Sequence, residues 1–178
     1  EALSGNSGTD AWVIQTTRQG IPCILVSVPI RYMHSTLETA KFSDIENLTD
    51  DMVEKAKSVF KRIAISESRV HGKTLEDVHF HEVGAADAVA DVLGSICAYY
   101  DLGMDKDKVV GLPIAVGGGV VETAHGRIPV PAPASIDILK GLNEGEFSDF
   151  SKGEAKCVGG PVNSELATPT GCALYMEF

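Results

Sequence analysis

His79 and His81 stand two residues apart in the run Val78-His79-Phe80-His81-Glu82-Val83. The run is short and alternating, which predicts a strand, and on a strand both imidazoles face the same side about 7 Å apart. Two rings at that spacing can converge on one divalent ion, and imidazole suits nickel, zinc and copper. Glu82 faces the opposite side unless the strand bends. Gly84 then turns the chain into a helix beginning near Ala85, whose first turns carry Asp87 and Asp91, four apart on one face. These carboxylates and His125 are the further candidate ligands for a metal held by His79 and His81. The same spacings also suit two hydrogen-bonded histidines on a half-exposed strand and two aspartates favoured by a helix N-terminus. On the residues alone the metal site is the less favoured reading. Gly117-Gly118-Gly119 could admit the backbone amides to a phosphate and is a weak candidate for cofactor binding. It matches neither the G-x-x-x-x-G-K-[ST] nor the G-x-G-x-x-G pattern, so a hairpin or bulge is the competing reading.

The elements that position these residues follow from hydrophobic period and punctuation. Thr9 or Asp10 opens a short helix that Gly20 ends. The apolar stretch Ile21 to Pro29 reads as a strand covered on both faces, which places Arg31-Tyr32-Met33-His34-Ser35 at its C-terminal end. A helix starts at Ser43-Asp44 or Asp50-Asp51, buries Val53, Ala56, Phe60 and Ile63, and stops before His71-Gly72-Lys73. The helix after Gly84 buries Val89, Val92, Leu93, Ile96 and Tyr100 and ends at Gly103. Val109 to Val116 and Val120-Val121 are strands. The prolines of His125 to Pro133 force an extended track that lines a pocket wall, and Pro133 starts a helix closed by Gly141. Asn143 to Gly160 is a polar loop, and an apolar stub ends at Phe178. The expected fold is α/β, a mixed sheet with packed helices, either one body or two loosely coupled pieces meeting near Asn47 to Asp51.

Composition bounds the function. The chain has 178 residues, 25 acidic against 15 basic, and a net charge of −10. That balance excludes a non-specific nucleic-acid binder, which needs cations to neutralise phosphates. No apolar run approaches the ~20 residues of a membrane span, and the N-terminus lacks a signal-peptide plan, so no membrane is expected as a partner. Cys23, Cys97, Cys157 and Cys172 are scattered without a C-x-x-C pair. This suits a reduced, cytoplasmic chain rather than a disulfide framework or zinc-thiolate site.

Two resemblances cover different parts of the chain. Residues 48–178 resemble the nickel insertion protein family that completes the nickel-pincer cofactor of lactate racemase. The blocks that carry it are Arg69-Val70-His71-Gly72, Val78 to Asp87, Asp91-Val92-Leu93-Gly94, Leu112-Pro113 through Gly119, His125 to Ala134, and Glu165 to Gly171. The resemblance implies a CTP-dependent chelatase that takes CTP with a divalent cation. It would insert nickel between two thiocarboxylate sulfurs and the pyridinium carbon of a small nickel-free precursor, a pyridinium bisthiocarboxylate mononucleotide. It does not assign catalytic residues.

Residues 1–47 instead resemble the C-terminal end of the M42 metallo-aminopeptidases. The matching residues are Gly8-Thr9-Asp10-Ala11, Gly20-Ile21-Pro22 and Val28 to Ser35, and the resemblance makes His34 a metal ligand. Both resemblances imply fragments: the nickel family's Gly-x-Ser-Gly-Asp-type opening stretch and C-terminal domain, and the peptidases' other ligands and glutamate, are expected to lie elsewhere. The expected function is nickel insertion. A metallo-aminopeptidase remnant and a non-catalytic fused module are the alternatives, and a homo-oligomer is left open.

Overall fold

A computed structural model of the chain describes residues 48–78, 86–123, 126–141 and 155–178, together with the backbone of 30–31 and 39–40. Ile30–Arg31 (β1) and Thr39–Ala40 (β2) pair antiparallel. The predicted helix near Asp10, the strand from Ile21 to Pro29 and the division of the chain at Asn47 lie outside these residues.

The first long element, α1 (Asp50–His71), shows why its sequence is helical and where it must stop. The Thr49 side chain accepts a hydrogen bond from the Met52 amide at 3.3 Å, capping an otherwise unpaired donor. Asp50 and Asp51 lie in the first turn and Arg69 and His71 in the last, each sign at the end the helix dipole favours. Gly72 adopts φ 61°, and Lys73 N–H reaches back to the Ser68 carbonyl at 3.0 Å. This is a left-handed glycine stop, and a Cβ there would be disfavoured. The helix therefore runs through His71, one residue beyond its predicted end. Its buried stripe is Ala56, Val59, Arg62, Ile63 and Ser66, while Phe60 is only half-buried.

Helices α2 (Ala86–Asp101), α3 (Pro133–Leu139) and α4 (Pro169–Glu177) pack with α1 around one hydrophobic core. Val59, Ile63, Val92, Ile96, Ile138, Cys172 and Ala173 are fully removed from solvent there. In α2 the buried positions are Ala88, Val92 and Ile96; Val89, predicted to be buried, is exposed. Val92 and Ile96 are buried as predicted, Leu93 and Tyr100 are partly buried against the core, and Ala88 takes the place expected of Val89. Pro133 occupies the first turn of α3 as predicted, where its missing N–H costs no hydrogen bond. Helix α4 is a departure from the predicted stub. Thr168 Oγ1 accepts from the Gly171 amide at 3.2 Å and Pro169 sits in the first turn, so Thr168-Pro169 is a helix start.

Glu177, at the end of α4, is buried among cations. Its carboxylate accepts from Arg62 Nη2 at 3.2 Å and from Ser58 Oγ at 2.8 Å, and Lys55 Nζ lies 3.7 Å away. Next to it Phe178 stacks on Tyr99 of α2 with ring centroids 4.5 Å apart, and the Lys55 ammonium lies over both rings. Two further buried polar groups are satisfied across elements. Ser66 Oγ donates to the Ala134 carbonyl, and Ser135 Oγ donates to that of Ala167.

The strands form two-stranded ladders on this helical body. Ile114–Ala115 (β3) pairs parallel with Cys157–Val158 (β6), while Val120–Thr123 (β4) and Gly126–Pro129 (β5) form an antiparallel hairpin. With parallel and antiparallel pairs beside packed helices, the fold is α/β. Of the predicted strand from Val109 to Val116, only the β3 pair is extended into a ladder. Cys157–Val158 lies within the segment read as a loop. The extended proline track is present as β5, leading through a cis Val130–Pro131 bond into α3.

Gly117-Gly118-Gly119 joins β3 to β4 and lies against the segment before α4. Gly117 bridges Glu165, and the Gly118 amide donates to the Ser164 carbonyl at 3.2 Å. Gly117 has φ 86°, and a Cβ there would overlap the Ser164 carbonyl oxygen. Gly126 has nearly the same φ, 89°, but nothing within 4 Å of a Cβ.

Two outcomes follow from this packing. Glu177→Ala strands the Arg62 charge in the core and is expected to lower unfolding free energy by about 3–5 kcal/mol, read from urea denaturation of the purified chain. A loss under about 1 kcal/mol would contradict a buried, interacting pair. The glycine pair separates backbone strain from steric overlap. Gly126→Ala is expected to cost about 1–3 kcal/mol for its positive φ alone, and Gly117→Ala clearly more, because the Ser164 strand must also move. Equal losses in thermal melts would show that the close approach is unimportant.

Candidate functional site

The sequence-predicted ligands separate into two groups. Helix α2 carries Asp87 and Asp91 on its first two turns, and Asp91 is exposed. His79, His81, Glu82, His125 and His34 lie outside the described residues. Among the described residues no three His, Cys, Asp or Glu side chains converge so that they could hold a metal ion. The described part of the ligand set is therefore α2, which presents the Asp91 carboxylate to solvent just after the chain leaves the His79-x-His81 run. The glycines at 117 and 119 lie close to the backbone of Asn163 and Ser164, so there their missing side chains serve chain-to-chain approach.

Two open clefts flank the β3–β6 ladder and share Pro113, Ala155 and Lys156 in their walls. The first, about 910 Å³, is apolar, with Val110, Leu112, Tyr175 and Phe178 among its lining. Tyr175 closes one side by donating its hydroxyl to the Leu112 carbonyl at 2.9 Å. The second, about 730 Å³, lies between the C-terminal end of α3 and the ladder. Pro113, Ile136 and Leu139 form its apolar part, and Lys140, Lys156 and Cys157 its polar part. Sequence reasoning missed this second cleft, because Lys140 and Lys156 lie sixteen positions apart and their segments are brought together by the bond from the Ala155 amide to the Leu139 carbonyl. The available signal was weak: a Lys at the closing turn of a short helix, and a Lys-Cys pair inside a segment read as loop.

The cysteines differ in environment. Cys172 is fully buried in the core, and burial pushes its thiol up to about 11. Cys97 is half-buried on α2 and is also raised, first by burial and then by the Asp101 charge. Cys157 is exposed on β6, its thiol 3.5 Å from the Ala155 carbonyl. The thiolate is the reactive and metal-binding form, so Cys172 is inert at neutral pH while Cys157 is accessible. All three are free, and no helix of the described residues is long and apolar enough to cross a membrane.

Comparison with known proteins extends the family resemblance beyond its predicted boundary. The family model described as nickel insertion protein matches residues 2–178, taking in residues 2–47, which were expected to belong with the peptidases. A putative nickel insertion protein of Methanothermobacter thermautotrophicus is 43% identical over 183 residues, covering 99% of this chain and 41% of that protein. Its counterpart in Methanosphaera stadtmanae is 40% identical, covering 94% of this chain and 41% of that protein. A Staphylococcus saprophyticus relative named pyridinium-3,5-bisthiocarboxylic acid mononucleotide nickel insertion protein is 37% identical, covering 88% of this chain and 37% of that protein. No solved structure matches significantly. The chain thus spans about two fifths of the length of these curated relatives. With a match from residue 2 to residue 178, the chain belongs to the nickel insertion protein family.

Proposed function

We propose that this chain is the nickel-handling part of a protein that inserts nickel into a pyridinium bisthiocarboxylate mononucleotide, the precursor of a nickel-pincer cofactor. The observation that carries this reading is the 37% identity, over most of the chain, to a relative bearing that substrate in its name. Nickel is cargo here. A carrier must release it to an acceptor rich in sulfur, so displaceable nitrogen and oxygen ligands suit the task better than a closed thiolate cage. His79 and His81, with a carboxylate from Glu82, Asp87 or Asp91, supply such a set and leave coordination positions open. His125 is the next candidate. The family resemblance brings CTP with a divalent cation as co-substrate, and free thiols suit a cytoplasmic location.

The family match runs through residues 2–47 as well, so in this reading that segment has no separate peptidase function. Co-catalytic hydrolysis needs several ligands and a base around a bridging water, and the peptidase-like segment supplies His34 alone.

Nickel titration by calorimetry at neutral pH tests the proposal. The parent chain is expected to bind nickel, and the His79→Ala, His81→Ala double variant at least tenfold more weakly, with an unchanged circular dichroism spectrum. Equal affinity in the folded double variant would move the site away from these histidines. Incubation of the nickel-loaded chain with the nickel-free precursor, with and without CTP, then reads transfer by mass spectrometry. Absence of transfer in both arms would sink insertion by this chain alone.

A further inference from the structure

We infer that the cleft between α3 and the β3–β6 ladder is a binding site for a phosphorylated heteroaromatic anion, namely the pyridinium mononucleotide itself; this rests on the nickel-insertion reading above. The cleft's volume, about 730 Å³, lies in the range of small-molecule sites. Its charge is what points to the ligand. The chain carries 25 acidic residues against 15 basic ones, yet the described residues lining this cleft include two lysines and no carboxylate. Both lysines are exposed, so their side chains are within reach of anions in solvent.

The fold fixes where these charges sit. Lys140 is the C-cap of α3, its amide donating to the Ile136 carbonyl at 3.0 Å. Lys156 directly precedes β6, and its carbonyl accepts from the Ile114 amide at 2.9 Å, the bond that starts the parallel ladder. A third bond, from the Ala155 amide to the Leu139 carbonyl at 2.9 Å, ties the two segments together. The lysine backbones are therefore held on two neighbouring, hydrogen-bonded segments, and only their side chains must be ordered when an anion binds. Ile136, Leu139 and Pro113 provide the apolar surface on which a planar ring can lie. An ammonium pair recognises phosphate or thiocarboxylate as a point charge, and the apolar wall favours a heteroaromatic ring over inorganic phosphate. Cys157 lines the same cleft with an exposed thiol, which gives the site a chemical reporter.

The test uses the 178-residue chain and nicotinic acid mononucleotide, a pyridinium carboxylate mononucleotide, as probe. Iodoacetamide alkylation of Cys157 is followed by peptide mass spectrometry, and affinity is measured by calorimetry in low salt. The probe is expected to slow Cys157 alkylation at least fivefold. The Lys140→Gln, Lys156→Gln double variant is expected to bind it at least tenfold more weakly, with circular dichroism unchanged. Nicotinic acid riboside, which lacks the phosphate, and inorganic phosphate, which lacks the ring, are each expected to protect less. Unchanged alkylation at 10 mM probe, or equal affinity in the folded double variant, overturns the inference. Protection by CTP but not by the pyridine mononucleotide also overturns it and assigns the cleft to the other nucleotide. If the double variant fails to fold, the protection measurement on the parent chain decides alone. Nickel uptake in the same samples keeps the two readings apart. Lost protection with intact uptake sinks only the cleft, and intact protection with no uptake sinks only nickel handling.

Discussion

The carboxylate of Glu177 holds the helical body together at one point. It sits at the end of α4, removed from water, and is met by Arg62 and Ser58 of α1, with the Lys55 ammonium close by. Neither Arg62 nor Glu177 could be buried without the other, since an isolated buried charge loses several kcal/mol of solvation. The pair therefore fixes the register of α4 against α1, which apolar contact alone would leave free to slide. From that register the next contacts follow. Phe178 lands on Tyr99, coupling α4 to α2, and Cys172 and Ala173 are placed in the core opposite Ile138 and Leu139 of α3. The clefts are secondary consequences: Tyr175 and Phe178 line the first, while α3, packed against α4, forms one wall of the second.

The two glycines of the β3–β4 connection impose a different kind of constraint. Gly117 and Gly119 adopt positive φ and let the chain pass close to Asn163 and Ser164. This brings the segment before α4 against the end of β3, and Thr168 then caps the helix that carries Glu177. A glycine-rich run that could have cradled a phosphate here provides close backbone approach, and the lysines that could hold an anion lie instead around the other ladder.

Local signals recovered most of the helices because capping chemistry is short-ranged. Asp50-Asp51, Gly103 and Pro133 each mark an end through bonds or dihedrals of neighbouring residues. What sequence reading missed depends on long-range packing. Nothing local marks Arg62 as buried, because its partner lies 115 residues away at Glu177. Helix α4 was missed although Thr168-Pro169 is a good start, since an apolar stretch of nine residues is equally compatible with a strand or a tail. Val89 and Val92 are similar side chains, and only the direction of packing by α1 decides that Val92 is buried. The candidate ligands divide in the same way. The His79-x-His81 spacing is legible because it is local, whereas the lysine-lined cleft depends on long-range bonds, from the Ala155 amide to the Leu139 carbonyl and across the β3–β6 ladder.

A protein that hands over a metal must bind it well enough to acquire it and loosely enough to lose it, and under the proposed function the three described cysteines fit that requirement. Cys172 is sealed in the core, with its thiol raised to about 11, and Cys97 is half-buried and also raised. Neither offers a thiolate at neutral pH, so neither competes with a sulfur-rich acceptor for nickel. Cys157 is accessible, but among the described residues lining its cleft it stands with lysines rather than with histidines or carboxylates, and none of them supplies a second soft ligand. An ammonium-rich wall repels a free divalent cation and attracts an anionic acceptor. Under the proposed function the two jobs would fall to groups of different charge: the imidazoles and carboxylates of the His79-x-His81 run and α2 for the metal, and the lysines of this cleft for the molecule that receives it.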